Sequence, residues 1–193
     1  MSEELNAYYK YIKDSFNNED FEIKVAIVNY LEMLKELHPD AFGKFISAPA
    51  STRFHGVYEG GLFEHSVNVV KYMWQWKKAH KGTKLTTQDC IVVGLLHDMC
   101  KYDLYSKTTT KDGKEKWIAD KELAKRHARR SIELIKYIFN IKLTRLQKVL
   151  ILLHMNGWEN KEDFKALNIL VCLSTIEVYC FLDQSLILSI SKP

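Results

Sequence analysis

The strongest helical patterns in this sequence lie in two neighbouring segments, 61-GLFEHSVNVVKYMWQWKKAH-80 and 87-TQDCIVVGLLHDMCK-101. In the first segment apolar residues recur at three- and four-residue spacing, which predicts a helix over Leu62–His80. The second segment predicts a helix over Thr86–Cys100. Its stretch Ile91–Leu96 is apolar on nearly all sides apart from Gly94, as in helices that other elements cover. The two segments predict a central helix pair in an all-α fold.

Helical periodicity continues on both sides of this pair. Gly and Pro are scarce, with 8 and 3 residues, which argues against a turn-dense β architecture. The segment Leu104–Ile118 differs, because polar and β-prone residues alternate around Asp112-Gly113 and predict a small exposed hairpin. Ser51–Gly61 is predicted as a loop. The remaining predicted helices are Glu3–Phe16, Phe21–Leu37, Pro39–Phe45, Lys121–Phe139, Thr144–Met155 and Glu162–Gln184.

Composition narrows the class of protein. Among 193 residues, 47% are apolar and 27% charged, which is ordinary for a chain that builds a core. The net charge of +4 is too small by itself to indicate nucleic-acid binding. There is no apolar signal core at the N-terminus and no apolar run of the ~20 residues that a membrane helix needs. The cysteines form no CxxC pair, so we expect reduced thiols and a cytoplasmic protein; they are Cys90, Cys100, Cys172 and Cys180.

Four histidines lie among apolar residues in separate predicted helices: His65, His97, His127 and His154. A single histidine on an apolar face is usually a hydrogen-bonded core residue. Here, however, His97 is followed by Asp98, and a buried carboxylate is costly without a cation or dense hydrogen bonding. Adjacent residues lie about 100° apart on a helix, so both can reach a metal ion at one helix edge. Imidazole and carboxylate together suit Mn, Fe, Co, Ni and Zn.

These residues stand in longer motifs: APASTRFHGVYEGGLFEHSVNVV, LLHDMCK, RHARRSIELI and LLHMNGW. In this order the set resembles the HD-domain metal-dependent phosphohydrolase superfamily, and small bacterial and phage members in particular. The resemblance runs from about Leu34 to about Asp183. It implies an HD-domain helical bundle over residues 34–184 with a β-hairpin insertion. Residues 1–33 would then be an N-terminal helical extension packed on the core, and residues 185–193 a tail.

The resemblance also implies a set of metal ligands. His65, His97 and Asp98 match the ligands of a first ion. In the two-metal members the aspartate bridges two ions, and His127 and His154 match the two later histidines that hold the second. The implied cofactor is one or two divalent ions, among Mn, Fe, Co, Ni, Zn and Mg.

Three further residues are candidates for contact with the substrate. Lys101 matches the lysine of the HDxxK motif, which implies a catalytic residue that contacts a phosphate or the bridging carboxylate. Arg53 and His55, in the STRFH segment, are candidates for phosphate recognition. A polar loop anchored by hydrogen bonds explains these two residues equally well.

One position departs from the family pattern. The superfamily closes the first metal site with the aspartate of an Ala-Asp pair, and alignment puts Ser174-Thr175 there. Glu177 lies about 200° around the predicted helix and Asp183 about 12 Å along it, so neither replaces the missing carboxylate in this register. Three protein ligands and a water can still form a catalytic site. The substitution predicts weaker metal affinity.

The residues and the resemblance together favour a phosphohydrolase that acts on a nucleotide or related phosphate ester through metal-activated water. Because of Thr175, the alternative is a degenerate HD protein that binds nucleotide or metal without efficient turnover. A 3'-5' exonuclease and a di-iron oxygenase are further alternatives. We expect a small phosphate-bearing partner and no membrane partner. Nucleic acid is less favoured, since no oligonucleotide-binding domain is evident, and the sequence leaves the oligomeric state open.

Overall fold

The computed structural model describes residues 3–154. Helices dominate this part of the chain, and its two strands form one antiparallel hairpin. The predicted all-α fold with a hairpin insertion is confirmed. In chain order the elements are α1 (Glu3–Ser15), a 3-10 turn (Asn18–Asp20), α2 (Phe21–Leu37), α3 (Pro39–Ser47), α4 (Gly61–Ala79), α5 (Thr87–Leu96), α6 (Lys101–Leu104), β1 (Tyr105–Thr109), β2 (Glu115–Ala119), α7 (Lys121–Ala124), α8 (His127–Tyr137) and α9 (Arg145–Leu153).

The central pair is α4 and α5, and a glycine sets how closely they approach. A Cβ atom at Gly94 would lie 2.5 Å from the side chain of Val70 and 2.7–2.8 Å from its backbone. Backbone atoms cannot give way as a side chain can, so any larger residue would push the helices apart. His65 precedes Val70 on α4, and His97 follows Gly94 at the end of α5. The close contact therefore brings these two histidines together.

The N-terminal helices are anchored to α4. The ring of Tyr8 on α1 meets that of Phe63 edge-on, with centroids 4.6 Å apart. Asp20 is 6% exposed and accepts hydrogen bonds from the Trp74 indole at 3.0 Å and from Lys78 at 2.8 Å. Burial by itself raises the pKa of Asp20, but these bonds and the charge of Lys78 hold that pKa below its ordinary value. The connection between α1 and α2 is thereby fixed to the central pair.

The N-termini of α5 and α9 are built alike and joined to each other. Each is capped by a threonine in a capping box, and the third helical residues, Asp89 and Gln147, bond back to the cap. The Gln147 side-chain amide donates to Asp89 Oδ1 at 2.9 Å, and both residues are buried. His97 follows the end of α5 and His154 follows the end of α9. The hydrogen bond between the N-termini therefore aligns α5 and α9 along their lengths, so that the two histidines lie side by side at the other ends of these helices.

The predicted helix Thr86–Cys100 ends early, at Leu96. The N–H of His97 still bonds to the carbonyl four positions back, but those of Met99 and Lys101 bond to carbonyls three positions back, which is the tighter pattern of a 3-10 turn. His97 and Asp98 therefore lie in a turn at the end of α5. A periodic apolar pattern does not distinguish this turn from another turn of α-helix.

The predicted helix Lys121–Phe139 is divided into α7 and α8. Asp120 caps α7 by accepting from two N–H groups of its first turn. The helix then breaks at Arg126, whose φ of −121° and ψ of 15° are not helical. The break makes His127 the first residue of α8.

The hairpin has the predicted turn. β1 and β2 pair from Tyr105 with Ala119 to Thr109 with Glu115. Gly113 has a φ of +79°, in the left-handed region that the Asp-Gly pair predicted. The hydroxyl of Tyr105 donates to the carbonyl of Ala50 at 3.4 Å, so the base of the hairpin touches the loop before α4.

Several predictions concern residues outside those described: the helix Glu162–Gln184, the tail 185–193, Cys172, Cys180 and Thr175. Within residues 3–154, Cys90 and Cys100 are buried free thiols. None of the helices in this range combines the length and apolar character that crossing a membrane requires.

Replacing Gln147 with alanine tests the junction between α5 and α9. The substitution removes the donor that Asp89 Oδ1 has in the buried junction. We expect the free energy of unfolding to fall by about 1–3 kcal/mol, because the carboxylate keeps its desolvation penalty without its partner.

Urea unfolding followed by circular dichroism measures this loss. The control is Gln88→Ala at an exposed position of α5, expected within about 0.5 kcal/mol of the wild type. Equal losses in the two variants would show that the two capping boxes are not energetically coupled.

Candidate metal centre

Five side chains from four segments converge where α5 and α9 end. His65 lies near the start of α4, His97 and Asp98 follow α5, His127 begins α8, and His154 follows α9. His127 is half-buried, and the other four are at most 2% exposed. The structure thus brings together all five residues that the sequence predicted as metal ligands.

The imidazole rings form a row. From His55 through His65, His97 and His154 to His127, neighbouring ring centroids are 4.9, 5.2, 5.1 and 5.0 Å apart. Within the row, the Nε2 atoms of His65 and His97 are 3.2 Å apart, and so are those of His127 and His154. The row therefore contains two pairs of histidines whose Nε2 atoms face each other.

Asp98 lies between the two histidine pairs. Its Oδ2 is 3.3 Å from Nε2 of His97 and 3.6 Å from Nε2 of His65. Its Oδ1 is 3.5 Å from Nε2 of His154. Each carboxylate oxygen thus faces a different pair, which is the arrangement that a bridging carboxylate needs.

Lys101 places a positive charge beside Asp98. Its Nζ is 2.6 Å from Asp98 Oδ2, and its side chain is 14% exposed. Burial by itself raises the pKa of Asp98. The positive charge of Lys101 is the main effect that opposes burial and holds the pKa of Asp98 well below its usual value. Asp98 is therefore a carboxylate at neutral pH.

Backbone carbonyls fix the tautomer of His97, His127 and His154. In each case Nδ1 lies near the carbonyl three residues earlier, at 3.0, 3.1 and 2.6 Å respectively. A carbonyl only accepts, so Nδ1 carries the proton and Nε2 of the neutral ring keeps its lone pair. His127 and His154 then point lone pairs at each other across 3.2 Å. A shared cation satisfies both, and metal-ligating histidines usually donate their other N–H in this way.

The donor set fits a divalent metal ion. Desolvation lowers the pKa of His65 and of His127, so their imidazoles are neutral at pH 7. Two overlapping groups, one of His65, His97 and Asp98 and one of Asp98, His127 and His154, have their donor atoms within 4.8 Å of one another. Each group could hold a metal ion.

The residues predicted to contact substrate lie at different positions around the candidate metal centre. Lys101 lies against the carboxylate of Asp98, one of the two roles that the resemblance implied. His55 lies beside His65 at the end of the imidazole row, and Arg53 is exposed on the same loop. The loop is also anchored by hydrogen bonds through Ser51, as the alternative interpretation expected.

Ser131 is a residue of this region that the sequence analysis missed. Its buried hydroxyl accepts the backbone N–H of Cys100 at 3.1 Å and ties α8 to the turn that carries Asp98. Ser131 lies four residues after His127, about one helical turn, so both project from the same face of α8. In the sequence, the four-residue spacing of His127 and Ser131 within RHARRS could have indicated this role.

Comparison with known proteins finds a family match over the part of the chain that contains the five candidate ligands. A family model described as HD domain matches residues 62–175. The dihydroneopterin 2',3'-cyclic phosphate phosphodiesterase of Methanocaldococcus jannaschii is 33% identical over 88 residues, which are 42% of this chain and 35% of that protein. The chain therefore spans about a third of the length of this relative. No solved structure shows a significant match.

Addition of Mn²⁺ tests the metal centre. An ion that binds the folded state alone, present at 100 times its Kd, adds about 2.7 kcal/mol of stability and raises Tm by about 5–10 °C in a chain of this size. Asp98→Asn removes the charge that both groups share, so we expect it to abolish the shift in Tm, measured by differential scanning fluorimetry.

The matched control is Asp20→Asn, which changes another buried aspartate paired with a lysine, at 2.8 Å. This variant should be less stable than the wild type yet keep the Mn²⁺-induced shift. An undiminished shift in Asp98→Asn would place the metal elsewhere.

Proposed function

Since this chain belongs to the HD domain family, we propose that it is a metal-dependent phosphohydrolase that acts on a nucleotide or related phosphate ester. The observation that carries the proposal is Asp98, whose two oxygens face two different histidine pairs. A relative named as a phosphodiesterase of a 2',3'-cyclic phosphate supports a phosphate ester as the class of substrate.

His65, His97 and Asp98 would hold one ion, and Asp98, His127 and His154 would hold a second. Such ions, when bound, supply a water of lowered pKa and positive charge for the phosphoryl oxygens. Four imidazoles and one carboxylate favour Mn, Fe, Co, Ni or Zn over Mg, which prefers oxygen ligands. Because Asp98 belongs to both ligand groups, its negative charge would serve both ions.

Lys101 is the second proposed catalytic residue. Its ammonium group stabilises the ionised form of Asp98, from which it is 2.6 Å distant. Because its side chain is partly exposed, the same group can approach a phosphate oxygen at the edge of the centre. A fixed positive charge there stabilises the negative charge that gathers in the transition state.

The loop before α4 supplies the proposed phosphate-binding residues. His55 adjoins His65 at the edge of the centre, and Arg53 is exposed two residues earlier. A guanidinium group can donate two parallel hydrogen bonds to a phosphate, which suits Arg53 to this role. The substrate would therefore be held between this loop and Lys101.

A second candidate function is nucleotide or metal binding without efficient turnover. Thr175 favours it, because related proteins carry an aspartate at the position that the resemblance aligns with Thr175. Residue 175 lies outside the described residues, so the loss of a ligand there stays a prediction.

Two other interpretations of the sequence also stay predictions. They are the domain division at residues 34 and 184 and the cytoplasmic location.

Hydrolysis assays distinguish the two candidates. The chain supplied with Mn²⁺, Co²⁺ or Ni²⁺ should hydrolyse adenosine 2',3'-cyclic phosphate or adenosine 5'-monophosphate, and a chelator should abolish the activity. We expect Asp98→Asn to lower kcat/KM by about a thousandfold, since metal ions supply several kcal/mol of transition-state stabilisation. Lys101→Met should lower kcat by about 10²–10³-fold, the cost of losing one electrostatic donor.

Lys78→Met is the matched control, because Lys78 also pairs with a buried aspartate but lies on the far part of α4. It should leave kcat unchanged. A chain that Mn²⁺ stabilises through Asp98 but that hydrolyses no phosphate ester would instead support binding without turnover.

A further inference from the structure

A rigid loop stands immediately before α4. The hydroxyl of Ser51 accepts the N–H groups of Phe54 and His55 at 3.0 and 3.1 Å, and it donates to the His55 carbonyl at 2.8 Å. The N–H of Ala50 donates to the Gly56 carbonyl at 2.8 Å, which closes the loop. Gly56 has a φ of +56°, and a Cβ atom there would lie 2.8 Å from that of Ala50. The loop is thus held in one compact conformation.

This loop is fixed against the metal centre. The ring of His55 lies 4.9 Å from that of His65, centroid to centroid. On its other side, the Tyr105 hydroxyl donates to the Ala50 carbonyl, which ties the loop to the chain segment that follows Lys101. The loop therefore keeps its position relative to both His65 and Lys101. It precedes residue 62, where the match to the family model begins.

The exposed part of the loop carries three large apolar or aromatic residues, beside the charged Arg53 and Glu59. Phe54, Val57 and Tyr58 are 71%, 39% and 46% exposed. Single exposed apolar residues are common on protein surfaces. Here three lie within five residues, and the most exposed is the immediate neighbour of His55, with Cα atoms about 3.8 Å apart. An apolar surface at this place suits the organic part of a phosphate ester.

We propose that Phe54 is a specificity-determining residue that stacks on a flat heteroaromatic ring of the substrate. The substrate class would be phosphate esters that carry a nucleobase or a similar fused ring, and this inference rests on the hydrolase function proposed above. Every nucleobase offers a π face, so such a platform selects for a ring without selecting one base. Arg53 and His55, which flank Phe54, would contact the phosphate while Phe54 contacts the ring.

The test compares substrates that share the phosphate and differ in the ring. One pair is adenosine 2',3'-cyclic phosphate and glycerol 1,2-cyclic phosphate, and the other is adenosine 5'-monophosphate and ribose 5-phosphate. In Phe54→Ala we expect KM for the adenosine compounds to rise about tenfold, which corresponds to about 1.4 kcal/mol. KM for the compounds without a nucleobase, and kcat for both kinds of compound, should stay unchanged.

Two variants sharpen this comparison. Phe54→Trp keeps a stacking ring and should keep the low KM for the adenosine compounds. Phe21→Ala removes an aromatic ring of similar exposure, 68%, from the start of α2, and it should change no kinetic constant. An unchanged KM in Phe54→Ala, or an equal rise for substrates with and without a nucleobase, would overturn the proposal.

A binding measurement separates failure of this inference from failure of the proposed function. If the Mn²⁺-supplied wild type hydrolyses none of the four compounds, the hydrolase proposal fails. Isothermal titration calorimetry with adenosine 5'-monophosphate and ribose 5-phosphate then tests stacking alone. Phe54→Ala should raise the Kd of adenosine 5'-monophosphate about tenfold and leave that of ribose 5-phosphate unchanged. Equal affinities of wild type and variant for adenosine 5'-monophosphate would refute stacking.

Discussion

The buried carboxylate of Asp98 determines what the surrounding residues of the site must provide. It is 1% exposed, and an ionised group so deeply buried costs several kcal/mol unless opposite charge and donors surround it. Lys101 provides one charge at 2.6 Å. Neutral histidines provide the carboxylate with neither a positive charge nor a hydrogen-bond donor, since His97, His127 and His154 direct lone pairs toward the centre. A metal ion resolves both problems, because it takes these lone pairs and compensates the carboxylate.

The fold places the ligands through two contacts away from the centre itself. Gly94 lets α5 approach the backbone of α4 at Val70, which sets the distance between His65 and His97. The hydrogen bond between Gln147 and Asp89 joins the start of α5 to the start of α9, so the C-terminal ends of both helices lie side by side. The ring centroids of His97 and His154, at these ends, are 5.1 Å apart. The contacts that stabilise the helix packing therefore also set the spacing of the candidate metal ligands.

The sequence predicted the ligands better than it predicted the turns that carry them. The four histidines and Asp98 stood out because each interrupts an apolar helical pattern, and the structure brings all five together. The end of α5 at Leu96 and the break at Arg126 were missed, because backbone hydrogen bonds in these turns leave no mark on apolar periodicity. The tilted contact of the His55 ring with the His65 ring depends on how a loop closes through Ser51, which a single sequence does not reveal. The helix pattern alone also gave no reason for Gly94, whose role depends on its neighbour in space.

If Asp98 and the four histidines bind metal ions as one centre, crystals of this chain grown with Mn²⁺ should hold manganese beside them. The measurement is anomalous diffraction recorded on both sides of the manganese edge. We expect an anomalous peak within coordinating distance of Asp98 and of the Nε2 atoms of His65 and His97, or of His127 and His154. Fully occupied Mn²⁺ at other positions, with no peak beside Asp98, would contradict it.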